Sequence, residues 1–173
     1  MLLSFLKMAK QANLFDEMPF GRHFSVLTKM YYGALTKRLS ELDIDRHYSV
    51  LIFITHCEKK CTQQFISDAL RIDKASMVRV IDHLVKKGYL VRATNPADRR
   101  EHWMELTAKA KKTVPVIQKE IKELNKIAMQ GFTKAEKKTF MNLLPLMYEN
   151  LGKQPSDRIL VNYKRVKPDD NEK

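Results

Sequence analysis

The fold is decided by residues 62–107, which read TQQFISDALRIDKASMVRVIDHLVKKGYLVRATNPADRREHWMELT. This stretch begins with a predicted short helix over Gln63–Leu70, followed after a break by a longer helix over about Lys74–Lys87. Asp73 is suited to cap the longer helix, because its carboxylate accepts hydrogen bonds from unpaired backbone N–H groups. Gly88 closes it, since glycine tolerates the left-handed conformation common after helix ends.

A β-hairpin is predicted directly after these helices. Tyr89–Thr94 and Glu101–Leu106 have strand-like sequences, and NPAD at positions 95–98 favours a turn. A short helix, a turn, a second helix and a hairpin together predict a winged helix-turn-helix. In that motif the second helix enters the major groove of DNA while the first helix braces it.

Long amphipathic helices flank this motif. Apolar residues at helical spacing predict a helix over Phe20–Leu42 and a largely buried one over His47–Cys57. Thr107 begins a long helix with a coiled-coil-like apolar seam at positions 114, 117, 121, 124 and 128. Pro115 lies inside this helix and is expected either to kink it or to move its start.

A last helix is predicted after Gly131. Thr133 and Glu136 have the spacing of a capping box, and Gly152 ends the helix. One face carries the apolar residues Phe140, Leu143, Leu144, Met147 and Leu151. The expected fold is therefore mainly α, with a small β-wing.

The charge of the chain indicates an anionic partner. Its 32 Lys and Arg exceed its 20 Asp and Glu, which gives a formal net charge of +12. Residues 71–112 contain eleven basic and five acidic residues, a difference of +6 and thus half of the total excess. Nucleic acid is the first expectation and a membrane surface the second.

The cysteine content and the N-terminal sequence indicate a cytoplasmic protein. Two cysteines can form at most one disulfide, which is too few to stabilise a chain of 173 residues in the way disulfide-rich secreted domains are stabilised. This favours a reducing compartment. Lysines interrupt the apolar residues of Met1–Phe15, so we expect neither a signal peptide nor a membrane span. No phosphate-binding glycine loop, nucleophile elbow or metalloprotease motif is found. We therefore expect no enzymatic activity, no cofactor and no membrane partner.

The helix over Lys74–Lys87 has one face suited to reading DNA. At about 100° per residue, the core side holds Met77, Val80, Ile81 and Leu84. The opposite side holds Ala75, Val78, Arg79, Asp82 and Lys86, with Ser76 and His83 at its margins. Arg79 is the candidate for reading guanine, because its fork binds two acceptors on one base edge. Ser76 and His83 are candidates for bases or phosphates, and Ala75 and Val78 for a thymine methyl group. An ordinary solvated helix face is the alternative.

From Thr62 to Lys112 the sequence resembles the MarR family of bacterial regulators. The resemblance rests on the order of helix-turn-helix, hairpin, Asp98-Arg99-Arg100 and Leu106-Thr107. The flanking helices extend it to about Phe20–Leu151, with less specific motifs. It implies a homodimer of two winged helix-turn-helix lobes, joined by a helical dimerisation region from the N- and C-terminal helices.

The resemblance also implies roles for the hairpin, or wing. Arg100 enters the minor groove, whose negative potential attracts a guanidinium, while Asp98 holds Arg100 and Arg99 contacts phosphate. The alternative is that Asp98 and Arg100 only stiffen a turn. The predicted DNA-binding residues are Thr62, Gln63, Lys74, Ala75, Ser76, Val78, Arg79, His83, Asp98, Arg99 and Arg100.

Three positions depart from the family pattern. Arg71 stands where the family often has glycine, so a positive φ there would cost roughly 1 kcal/mol. Ser67 replaces a common alanine, and Ala110 occupies a common glycine position, which should only lengthen the helix. None of these changes removes a predicted DNA contact, but they leave the geometry of the turn open.

Aromatic residues on the first two predicted helices have two interpretations. Core and dimer packing explains most of them. MarR-like proteins also often bind small aromatic or phenolic effectors between the dimer core and the DNA lobe. The resemblance therefore implies an effector pocket lined by Tyr31, Phe53 or His56.

His56, Cys57 and Cys61 invite a metal or redox interpretation. Zinc needs three or four suitably spaced ligands, and this group stops at three. Cys57 falls in an apolar helical stripe, so buried structural thiols are the favoured interpretation and no metal is expected. A peroxide-sensing thiol, which some MarR relatives possess, is the alternative and requires a lowered pKa.

The expected function is a sequence-specific transcriptional regulator that binds an inverted-repeat operator as a homodimer. Repression by blocking polymerase, with release by an effector, is the expected role, and activation stays open. The rival is a winged-helix module that binds protein or binds nucleic acid without reading sequence. The expected parts are an N-terminal extension at 1–18, dimerisation helices at about 19–44 and 108–152, the winged helix-turn-helix at about 45–107, and a partly disordered tail at 153–173.

Overall fold

The computed structural model describes residues 17–44, 46–57 and 61–155. The elements in chain order are α1 Phe20–Arg38, α2 Tyr48–Thr55, α3 Gln63–Ala69, α4 Lys74–Lys86, β1 Leu90–Thr94, β2 His102–Leu106, α5 Ala108–Ala128 and α6 Lys134–Gly152. The predictions for the N-terminal extension and for the tail fall largely outside these residues. Within them the protein is mainly helical with one hairpin, as expected.

Side-chain caps begin the helices where the sequence predicts them. Asp73 accepts a hydrogen bond from the Ser76 N–H at 2.9 Å at the start of α4. Thr107 accepts one from the Ala110 N–H at 3.2 Å and fixes the start of α5. Thr133 forms the predicted capping box of α6. Because each cap satisfies backbone donors that the helix leaves unpaired, the helix starts are locally encoded.

One core joins the helices and the wing. Its fully buried side chains include Leu35, Leu51, Ile66, Met77, Ile81, Leu84, Leu90 and Ile117. The predicted core side of α4 is confirmed, since three of its four apolar residues are buried and Val80 is half-buried. The core thus holds α4 by one face and leaves the other toward solvent.

The wing is an antiparallel pair whose register runs from Leu90 opposite Leu106 to Thr94 opposite His102. It is also attached to the chain just before α3, because the Met104 N–H donates to the Cys61 carbonyl at 2.8 Å. The strands are each one residue shorter than predicted. The wing is therefore held both by its covalent connection to α4 and by a hydrogen bond to the chain just before α3.

The structure corrects the predicted end of α1 and defines the start of α5, which the sequence left open. The first helix was predicted to reach Leu42, but α1 ends at Arg38. Leu39 is buried and Leu42 half-buried in the turn that follows, so apolar spacing continues past the helix end. Pro115 does not move the start of α5, which remains at Ala108 with Pro115 inside the helix.

The end of α4 is bound to the start of α5 by hydrogen bonds. The Thr107 hydroxyl donates to the Gly88 carbonyl at 2.7 Å, and the Thr107 N–H donates to the Tyr89 carbonyl at 3.1 Å. Lys109 Nζ donates to the Lys87 carbonyl at 2.8 Å and lies 4.0 Å from the centroid of the Tyr89 ring. These contacts form a joint between the two helices, which we call the α4–α5 joint.

α6 and much of α1 present apolar side chains to solvent in the single subunit. No residue of α6 is buried. The exposed apolar residues on the two helices are Phe20, Phe24, Leu27, Met30, Phe140, Met141, Leu143, Leu146, Tyr148 and Leu151. Large exposed apolar patches commonly mark interaction surfaces of proteins. No helix in the described part of the chain is both long and apolar enough to cross a membrane.

Arg71 adopts a left-handed backbone conformation, in which a residue with a Cβ atom is strained. Its φ is +50°, in the turn between α3 and α4. Arg71→Gly is expected to raise the free energy of unfolding by about 0.5–1 kcal/mol, because the strain from Cβ disappears. Chemical denaturation at fixed protein concentration measures this change. Arg71→Ala keeps Cβ and removes the guanidinium, so an equal gain in that variant would contradict the explanation.

Candidate nucleic-acid interface

The solvent side of α4 carries the predicted reading residues. Ala75, Val78, Arg79 and Lys86 are exposed, and Ser76 is half-buried beside them. Arg79 Nη2 donates a hydrogen bond to Ser76 Oγ at 3.0 Å. This bond links the Arg79 side chain to the first turn of α4.

The C-terminal end of α4 is occupied by contacts within the protein. The His83 ring is half-buried and lies 5.2 Å from the His47 ring, centroid to centroid. Lys87 Nζ lies 2.6 Å from Asp43 Oδ2, and this bond holds the pKa of Asp43 below its usual value. His83 and Lys87 are therefore engaged with neighbouring elements. DNA contact by His83 stays a prediction that requires its ring to leave the His47 packing.

The wing tip is built around Asp98. Asp98 Oδ1 accepts a hydrogen bond from the Arg100 backbone N–H at 2.9 Å, so it fixes the backbone that carries Arg100. Arg99 and Arg100 are both exposed. The family resemblance implies that Asp98 holds Arg100 for the minor groove, with a stiffened turn as the alternative. The observed bond fixes the turn at the main chain, and the role of the Arg100 guanidinium stays a prediction.

A buried amide organises the base of the wing turn. Asn95 is 5% exposed, and its Nδ2 donates to Glu101 Oε2 while its Oδ1 accepts from the Ala97 N–H at 2.9 Å. Trp103 Nε1 also donates to Glu101 Oε2 at 3.1 Å. Asn95 was predicted only as a turn residue. The bond between Asn95 and Glu101 was not predicted, because it depends on how the turn brings the two strands together.

A cleft of about 460 Å³ lies between the start of α3 and the wing. It brings together the predicted contacts Thr62, Gln63 and Arg100, which are far apart in sequence. It also contains Arg92, which is not among the predicted DNA-binding residues. Arg92 Nη2 forms a short ion pair with Asp82 Oδ1, joining β1 to the exposed side of α4. Three elements that can meet a duplex thus lie beside one another.

Comparison with known proteins identifies the family. The sequence pattern of the MarR family matches residues 44–101. A MarR transcriptional regulator from Methanosarcina mazei Go1 is 30% identical and superposes with a TM-score of 0.71, over 77% of this chain and 96% of that chain. The chain belongs to the MarR family. It is therefore a winged-helix protein of a family of transcriptional regulators.

Two further MarR structures show the same architecture. Wild-type MarR in its apo form from E. coli is 26% identical, with a TM-score of 0.63 over 75% of this chain and 97% of that one. A putative MarR family transcriptional regulator from Listeria monocytogenes, complexed with 26mer DNA, is 24% identical, with a TM-score of 0.72. That match covers 78% of this chain and 89% of the Listeria chain and concerns the fold alone.

A second cleft, of about 400 Å³, lies beside the MarR core between α1, α2 and α5. Its wall contains Tyr31, Phe53 and His56, the three residues predicted for an effector pocket. The Tyr31 hydroxyl donates to Asn125 Oδ1 at 2.7 Å, and burial raises the pKa of Tyr31. Most of the wall of the cleft is apolar, and the hydroxyl of Tyr31 adds a polar group to it. Ligand binding there stays a prediction.

The two cysteines of this MarR-family protein lie in or against the core. Cys61 is buried, and burial followed by its hydrogen bond with Cys57 raises the pKa of Cys61 to about 12. A raised pKa disfavours the thiolate that oxidants attack, which supports a structural role for Cys61 over a sensing one. Within residues 17–44, 46–57 and 61–155, no group of three or more His, Cys, Asp or Glu side chains is placed to hold a metal ion.

Proposed function

We propose that the protein is a cytoplasmic, homodimeric transcriptional repressor that reads an inverted-repeat operator. Each subunit inserts α4 into a major groove and its wing into the adjacent minor groove. The observation that carries this proposal is the exposed face of α4 beside a stiffened, arginine-tipped wing. Arg79 reads guanine with its fork, Arg100 enters the minor groove, and Arg99 and Lys86 contact phosphates.

The remaining predicted DNA contacts fit this placement. Thr62 and Gln63 lie at the start of α3, on the wall of the cleft that Arg100 also lines. Lys74 and Ala75 lie in the first turn of α4, where backbone N–H groups favour a phosphate. Val78 is 40% exposed and suits a thymine methyl group.

The exposed apolar faces of α1 and α6 support dimerisation. Burying them against a second copy removes this surface from water and fixes the distance between two α4 helices. We assign the helices at about 19–44 and 108–152 to the dimer and residues 45–107 to the DNA-binding lobe. Blocking of polymerase at the operator then gives repression.

The first test is selection of bound duplexes from a random pool by the full-length dimer. Arg79→Ala is expected to relax preference at one base position, with a loss of about 1–3 kcal/mol of discrimination, because its bidentate contact disappears. Lys86→Ala is the matched control and should weaken all sites similarly. If affinity is independent of sequence and falls steeply with salt, the rival non-specific module is correct. An unchanged motif in Arg79→Ala would refute the role of Arg79.

We further propose that the cleft beside Tyr31, Phe53 and His56 takes a small phenolic effector that releases DNA. Such a ligand acts only if it binds the DNA-free lobe spacing more tightly than the DNA-bound one. The apolar wall of the cleft and its position between α1, α2 and α5 support this site for the effector.

Titration of a panel of small phenols should reveal one that weakens operator binding, by about 5- to 150-fold at saturation for a typical coupling. Ser49→Phe adds bulk to the wall of the cleft and should remove this response while operator binding without ligand persists. Fluorescence anisotropy of a labelled operator measures both. Insensitivity to every compound, or a full response in Ser49→Phe, would contradict the effector site.

A further inference from the structure

The exposed side of α4 contains an acid where DNA is proposed to lie. Asp82 follows Arg79 by one helical turn and precedes Lys86 by another, so all three share a side. An exposed carboxylate near DNA phosphates weakens binding by like-charge repulsion. The position of Asp82 therefore requires a compensating role.

Arg92 of β1 holds this carboxylate. Its Nη2 forms the short ion pair with Asp82 Oδ1, and 35% of the Arg92 side chain stays exposed against 58% of that of Asp82. Arg92 also lines the cleft that contains Gln63 and Arg100. Its side chain thus extends between α4 and the surface shared by α3 and the wing.

Several residues of strand β1 lack apolar support. Leu90 and Met104 anchor the hairpin in the core, whereas Val91, Arg92 and Thr94 are exposed. The bonds around Asn95 stiffen the turn internally, but they connect wing residues only to one another. Trp103 and Met104 hold β2 to the chain just before α3, and the Asp82–Arg92 pair connects β1 to α4.

We propose that Asp82 and Arg92 are a positioning pair that fixes the wing relative to α4, so that both groove contacts form together. Neither residue needs to touch a base, since the pair acts through Arg79 and Arg100. The inference rests on the proposed DNA-binding function. It makes this ion pair one determinant of the separation between the major- and minor-groove contacts.

The proposal and simple electrostatics predict opposite signs for Asp82→Asn. Removing a negative charge near DNA should tighten binding, whereas releasing the wing should weaken it. We expect affinity for the selected operator to fall about fivefold, the scale of one moderate ion-pair coupling. Hydroxyl-radical footprinting should show lost protection of the minor-groove flank with the major-groove contact retained. Glu105→Gln, at an exposed acid on β2, is the matched control and should leave binding unchanged or tighter.

A charge swap tests the pairing itself. Arg92→Asp alone should weaken operator binding, and adding Asp82→Arg should recover part of the loss while restoring the net charge. Thermal unfolding of each variant shows that the fold is retained. Operator binding by Asp82→Asn that equals or exceeds that of the unmodified protein would overturn the positioning role.

A measurement without DNA separates this inference from the proposed function. Asp82→Asn should increase hydrogen exchange of the wing amides in the free dimer, and Glu105→Gln should not. Unchanged exchange in Asp82→Asn would refute the positioning role of the Asp82–Arg92 pair, whatever the DNA result. Failure of the unmodified protein to select any sequence would instead refute the proposed function. Increased exchange in Asp82→Asn would then still support the positioning role.

Discussion

Replacing Ile81 by alanine is expected to lower the free energy of unfolding by about 2–5 kcal/mol, the range for large-to-small changes in a packed core. Ile81 is fully buried in the middle of α4, in the core that joins the helices and the wing. The loss combines the transfer of the deleted methyl groups with the cavity that rigid neighbours leave behind. Urea denaturation at one fixed protein concentration measures it, because the stability of a dimer depends on concentration.

Val78→Ala is the matched control for Ile81→Ala. Val78 lies one turn earlier on the same helix with 40% of its surface exposed. Alanine has a higher helix propensity than valine, so the change in stability should stay within about 0.5 kcal/mol. Equal losses at both positions would show that α4 is not packed by one face.

Leu143→Glu is expected to convert the dimer to monomers and to lower operator affinity by about 10²- to 10⁴-fold, the usual advantage of two linked sites. Leu143 is 50% exposed in the single subunit and lies in the apolar face proposed for dimerisation. A glutamate there is solvated in the monomer, whereas in the interface it would be a buried, unpaired charge. Sedimentation analysis and operator titration measure the two effects.

Lys138→Glu introduces the same side chain on the polar side of α6. It should leave the assembly dimeric and should affect operator binding only through its charge. A dimeric Leu143→Glu variant with normal operator affinity would show that this face of α6 is not the interface.

Local chemistry explains which parts of the fold the sequence predicts. Asp73, Thr107 and Thr133 cap helices through bonds that span three residues, so a short window contains the whole signal. The burial of Met77, Ile81 and Leu84 follows from helical periodicity alone. The end of α1 was placed too late, because the turn after it keeps apolar residues at helical spacing.

Contacts between distant elements explain what the sequence did not predict. The Asp82–Arg92 pair requires the hairpin to fold back along α4, and the bonds at Glu101 require a particular strand register. His83 was placed at the margin of the reading face, but its packing depends on His47, which lies just before α2. No periodicity within one helix contains that information.

The α4–α5 joint has a mechanical consequence. Thr107 and Lys109 bind the carbonyls at the end of α4, so three hydrogen bonds would have to stretch before the two helices could swivel independently. A rotation of α5 is therefore expected to carry α4 with it, because these bonds leave no flexible linker between the two helices. A tilt of α5 by a few degrees at the proposed dimer interface would displace the far end of α4 by ångströms.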